Sequence, residues 1–141
     1  MTMPTPIVLV RAAVAAGLLI YQAPVNAQND PSTTVVNAAA TFSVAYGAWL
    51  WEKQCKTLPA ADGKEFDALA QDALKRLQDA SDPKLFNAAV GAGRDVSSDP
   101  KLAGCTGKET VGFAQFGLEQ MRDADAKLKS LPAGFHLTLT N

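Results

Sequence analysis

Two cysteines and one histidine bound the chemistry open to this 141-residue chain. A thiol pair can ligate a metal, exchange disulfides or form a structural bridge, and spacing decides among these. Cys55 and Cys105 have no Cys-x-x-Cys spacing and no second ligand set, so metal and redox roles are disfavoured. A Cys55–Cys105 disulfide is expected, as for most cysteine pairs in exported chains. The single imidazole, His136, lies near the C-terminus. Ser–His or Cys–His catalysis would have to recruit it from a tail, a poor platform for preorganised chemistry. One histidine also excludes a multi-histidine metal site, and the Cys-x-x-Cys-His signature of covalent haem is absent.

The carboxylates form no denser constellation. Asp123 and Asp125 project to different sides of a helix, and Asp95 and Asp99 flank a Val-Ser-Ser stretch. Neither pair has the ligand density of an EF-hand or the Glu-x-x-His spacing of a carboxylate-bridged metal bundle. Gly91-Ala92-Gly93 lacks the third glycine and the preceding strand of a dinucleotide turn. Gly107-Lys108-Glu109 lacks the hydroxyl residue and upstream glycine of a P-loop. No catalytic residue, metal ligand or cofactor is assigned, and no enzyme activity is expected.

Apolar surface is the remaining candidate. Ser32 to Cys55 reads as a helix that is apolar nearly all round. At about 100° per residue, Val35, Phe42, Tyr46, Trp49 and Leu50 share one face. Ala40, Val44, Ala48 and Trp51 form a second line on the opposite side. One reading buries both faces and covers the second line with Phe135, Leu137 and Leu139 of the tail. The other leaves an exposed aromatic patch on which a partner docks. In that case Trp51 is the anchor, with Val44, Ala48 and Trp49 beside it and Glu52, Lys53 and Lys56 as a polar rim.

Prolines and glycines mark out the elements that must position these residues. Asp30 and Pro31 cap and open the first helix, and Leu58-Pro59 breaks it. A second helix is expected from an Asp62/Glu65 capping box to about Ala80. Its apolar stripe is Phe66, Leu69, Ala70, Ala73 and Leu77, and Asp72 and Arg76 pair on the outer face. A third, shorter helix starts at Asp82-Pro83 and carries Leu85, Phe86, Ala89 and Val90, with Gly91 and Gly93 weakening its second half. Ser81-Asp82-Pro83-Lys84-Leu85 recurs as Ser98-Asp99-Pro100-Lys101-Leu102, whose second copy is expected to open a single turn. The last helix is expected from a Thr106/Glu109 capping box, with Val111, Ala114, Leu118, Met121 and Leu128 facing inward and Phe113, Gly117 and Ala124 widening that face. Ser130 to Gly134 ends it and leaves an extended tail. The expected fold is all-α: a small four-helix up-down bundle with one disulfide and an extended C-terminal tail. In that topology Cys55 and Cys105 lie at the same end, within bridging reach.

Residues 1–27 have the grammar of a secretory signal peptide. Arg11 precedes the apolar run Ala12 to Tyr21, and Val25-Asn26-Ala27 offers small residues for cleavage. The alternative is an uncleaved anchor, but Arg11, Gly17 and Gln22 interrupt the apolar stretch. Cleavage would leave residues 28–141 as a single helical domain with 12 basic and 14 acidic residues and no later membrane span. Its interspersed charges give no clustered cations for nucleic acid. The expected setting is periplasmic or secreted. The expected role is non-catalytic: binding another periplasmic protein through the aromatic first helix. The alternatives are a chaperone-like stress protein and a carrier of a small apolar ligand.

Overall fold

Asp30 caps the first helix by accepting the Thr33 backbone N–H on its carboxylate at 3.2 Å. Pro31 follows at the first helical position, where its missing N–H leaves no bond unmade. A computed structural model describes residues 30–140, so the leader 1–27 and the start of the domain at 28 lie outside the described residues. From Asp30 the chain forms α1 (Pro31–Cys55), α2 (Ala60–Ala80), α3 (Pro83–Ser97) and α4 (Phe113–Lys129). Two 3₁₀ turns, Pro100–Leu102 and Lys108–Thr110, bridge α3 and α4. No regular strand occurs among the described residues.

The helices alternate in direction. Trp49 meets Asp67 across the α1–α2 hairpin, Ala48 meets Gly117 of α4, and Gly47 meets Gly93 of α3. This is an up-down-up-down bundle, although not a closed square. α1 packs on all three other helices, α2 also packs on α4, and α3 rests almost entirely on α1. The core is Val35, Phe42, Phe66, Leu77, Leu118 and Met121, filled in by the alanines of α1, α2 and α4. Between α2 and α4 the exposed seam carries a two-pronged ion pair, Arg122 to Glu65 at 2.8 Å for each prong.

Close approach of α1 and α3 depends on missing side chains. A Cβ on Gly47 would stand 2.7 Å from the Gly93 carbonyl oxygen, and one on Gly93 would stand 2.7 Å from Tyr46 Cδ1. Gly93 therefore belongs to the packing surface of α3, although sequence analysis reads it as a weak point.

Two helix starts differ from expectation. α2 begins at Ala60 behind Pro59, which has no capping side chain; Asp62 therefore lies inside the first turn, the Asp62/Glu65 box is unmade, and Glu65 pairs with Arg122. α4 begins at Phe113, not near Thr106. Cys105 and Gly112 both take left-handed backbone conformations, at φ 64° and 74°, and interrupt the helix that Thr106 and Glu109 would have started. Val111 is consequently 84% exposed and does not face inward. The other expected caps hold: Asp82 accepts from Lys84 N at 2.8 Å and Asp99 from Lys101 N at 2.9 Å.

Cys55 and Cys105 are bonded, with Cα atoms 5.4 Å apart. They join the end of α1 to the loop before α4. At the opposite end the tail is extended, and Leu137 N donates to the Ala80 carbonyl at 2.8 Å in a single bridge to Ser81. Phe135 and Leu137 pack against the core there.

Candidate functional site

The second line of α1 does not form an exposed patch. Trp51 is only 3% exposed. Its indole N–H donates to the Leu102 carbonyl at 2.9 Å, and its ring meets the edge of Phe113 with centroids 5.4 Å apart. The loop between α3 and α4 folds over the ring, held there by the Cys105 bridge. Ala48 is fully buried against Gly117, whose lack of a Cβ admits it. The cover is thus α4 and its preceding loop, while the tail expected there lies at the other end of the bundle. Of that line Ala40 and Val44 stay open, Val44 at 37%. The anchor role expected of Trp51, with Ala48 beside it, is therefore corrected: neither can be reached from solvent.

Trp49, two residues away and on the other side of the helix, does reach the surface. It floors a cleft of about 400 Å³ with Leu58, Pro59, Ala60 and Gly63, and the rim carries Glu52, Lys53, Lys56 and Asp67. The rim residues expected around Trp51 are thus present around Trp49. Its position follows from the α1–α2 hairpin: Leu58-Pro59 turns the chain, and α2 starts alongside the last turns of α1.

Bonds inside the site fix its electrostatic character. The Trp49 indole N–H donates to Asp67 Oδ1 at 2.7 Å. Glu52, buried, accepts from Thr57 N at 3.0 Å, Thr57 Oγ1 at 2.6 Å and Leu58 N at 2.8 Å. Its carboxylate thereby closes the C-terminal turn of α1, where Lys56 is left-handed at φ 50°. Both acids are committed to the protein's own donors. Lys53 Nζ lies 4.6 Å from the Trp49 ring centroid, a cation–π contact that holds the ammonium over the floor. Lys56 brings a second ammonium to the rim. The surface on offer is aromatic, with two exposed ammonium groups on its rim and the two carboxylates set deeper.

Known protein families, curated proteins and solved structures give no match to this chain.

A cleft of this size accepts one large side chain or a small ligand. Gly63 leaves it open, since a Cβ there would meet nothing within 4 Å. No group of three or more His, Cys, Asp or Glu residues suited to a metal occurs among the described residues. His136 Nδ1 lies 2.9 Å from the Asp79 carbonyl oxygen at the far end of the bundle, apart from the cleft.

A further residue escaped sequence analysis. Asp125 is buried between α2 and α4 at 2% exposure, in the register of Ala114, Leu118, Met121 and Leu128. The signal was present: position 125 continues that stripe four residues after Met121. Asp123 and Asp125 lie on different sides of the helix as expected, and the side that Asp125 takes is the apolar one. Asp123 is the solvated one, paired with Lys127 at 2.6 Å.

Proposed function

We propose that this protein is an exported, non-catalytic binding protein of the bacterial periplasm, and that it captures another periplasmic protein at the Trp49 cleft. The observation that carries the reading is an aromatic floor with two exposed ammonium groups on its rim. Glu52 and Asp67 are used internally, while Lys53 and Lys56 face the opening. Such a surface suits a partner segment in which a bulky apolar side chain is flanked by carboxylates. The disulfide supports an oxidising compartment, and no described helix is long and apolar enough to cross a membrane. A leader at residues 1–27, removed on export, fits that address. The apolar-ligand carrier gains no such support, because the apolar side chains between the helices pack on one another.

A photo-crosslinking residue at Gly63, introduced in the native host, tests the proposal. Cross-links to one protein should map to an apolar residue with acidic neighbours. They should fall at least tenfold in a Lys53→Glu/Lys56→Glu variant and also when the probed cleft is filled by Trp49-neighbouring bulk, as in Ala60→Leu. Cross-links insensitive to charge reversal, or none to any protein, would refute it.

A further inference from the structure

The ion cluster between α2 and α4 is asymmetric in a way that folding alone does not require. Asp125 Oδ2 accepts from Lys129 Nζ at 2.6 Å, whereas the buried Oδ1 has no hydrogen-bond partner among the described residues. Arg76 Nε stands 4.0 Å from Oδ1 and is bonded instead to Asp72 Oδ2 at 2.8 Å. Lys129 also reaches Asp72, at 3.5 Å. Two carboxylates thus share two cations, and one carboxylate has been taken out of water with half its bonding capacity unused. A buried acceptor left in this state opposes the ionised form.

No other charge offsets it. α1 carries no charged residue before Glu52, at the far end of the bundle. α3 barely touches α4. From α2 the charges facing this region are Asp72, Arg76 and Asp79, the last lining the adjoining cleft with Arg76 and Lys129. In the tail, His136 is held by the Asp79 carbonyl.

We infer that Asp125 is a proton-operated latch on Lys129. A proton from solvent, taken up on Oδ1, turns the carboxylate into a neutral carboxyl that donates to the Asp72 carboxylate. The orphaned oxygen then has a partner, and the Lys129–Asp125 ion pair is dissolved. Lys129, the last residue of α4, then keeps only its longer tie to Asp72, at 3.5 Å, beside the cleft of about 310 Å³ that it lines with Arg76, Leu131 and Phe135. Mild acid therefore makes the pocket beneath the tail more cationic while the α2–α4 seam stays closed.

Titration directions agree. Burial first, and then the Asp72 carboxylate, push Asp125 above the usual carboxylate range, although Lys129 pulls the other way. The Arg76 hydrogen bond holds Asp72 below that range. The folded state thus takes up its first proton at Asp125, at a pH where Asp72 is still ionised.

NMR titration of the intact protein from pH 7 to 3 tests this, reading the Asp72 and Asp125 carboxyl carbons and the Lys129 side-chain resonances. Asp125 should titrate above Asp72, and Lys129 should shift with the Asp125 midpoint. In Asp125→Asn the Lys129 shift at that midpoint should vanish while the Asp72 titration remains. The inference is overturned if Asp125 titrates with or below Asp72, or if Lys129 follows Asp72 or does not move. The wild-type titration alone decides this, so a poorly folding variant would not obscure the result.

Discussion

Trp49 and Trp51 differ little as residues and entirely in placement. Two steps along a helix rotate a side chain by about 200°, so one indole faces the α3–α4 loop and the other a solvent cleft. Trp51→Ala should cost about 3–5 kcal/mol, as for large aromatic truncations in cores. Urea unfolding followed by circular dichroism would measure it, and an unchanged midpoint would contradict the burial described here. The buried Asp125 leads to a pH prediction at the same scale. Its raised pKa means that the ionised form disfavours the fold at neutral pH, a penalty relieved as pH falls through that pKa. Asp72, with its lowered pKa, contributes stability above the ordinary aspartate range that is lost only in stronger acid. Asp125→Asn should accordingly raise Tm relative to wild type at pH 7, and the gap should close once the wild-type carboxyl is protonated. A gap that widens on acidification in scanning calorimetry would reverse the assigned sign.

At the scale of elements, α3 is held by contact with one helix, and that contact depends on glycine. A Cβ on Gly93 would meet Tyr46 Cδ1 at 2.7 Å and the Ser43 backbone oxygen at 2.8 Å, whereas one on Gly91 meets nothing within 4 Å. The two substitutions to alanine should therefore differ in sign. Gly91→Ala should gain up to about 1 kcal/mol from helix propensity. Gly93→Ala should lose about 1–2 kcal/mol, because overpacking outweighs the same gain. Paired chemical denaturation curves would show midpoints moving in opposite directions. Helix starts show how local chemistry holds until a stronger constraint intervenes. Asp30, Asp82 and Asp99 cap as expected because each bond is made within three residues, whatever the tertiary fold. The Asp62/Glu65 box is equally local, but α2 starts two residues before it, at Ala60, and Glu65 instead makes a two-pronged ion pair with Arg122 across the bundle.

The whole molecule is tied at both ends, by the disulfide beside the Trp49 cleft and by the Leu137 bridge beneath α2. The covalent loop joins residues 50 apart. Chain entropy assigns such a loop about 4 kcal/mol, a large share of the roughly 5–15 kcal/mol typical of a domain. Cys55→Ser/Cys105→Ser should lower unfolding free energy by about that amount, measured by urea titration beside the oxidised protein. A loss under about 1 kcal/mol would mean that the denatured chain already holds those ends together. Trp51 should become accessible to quenchers in the same variant, since the loop covering it is anchored at Cys105.

Periodicity, caps and cysteine spacing were enough to establish the helix count, the all-α class, the alternating directions and the sulfur pairing. Those are consequences of near-neighbour sterics and of short loops, whose alternating topology brings residues 55 and 105 to the same end. Which face of α1 meets solvent was decided only in three dimensions, because both faces are apolar and a pattern without contrast carries no direction. The same holds for Asp125 and Gly93. A carboxylate in an apolar register, or a glycine in a helix, acquires meaning from the atoms placed opposite it by another helix, and local sequence does not specify those.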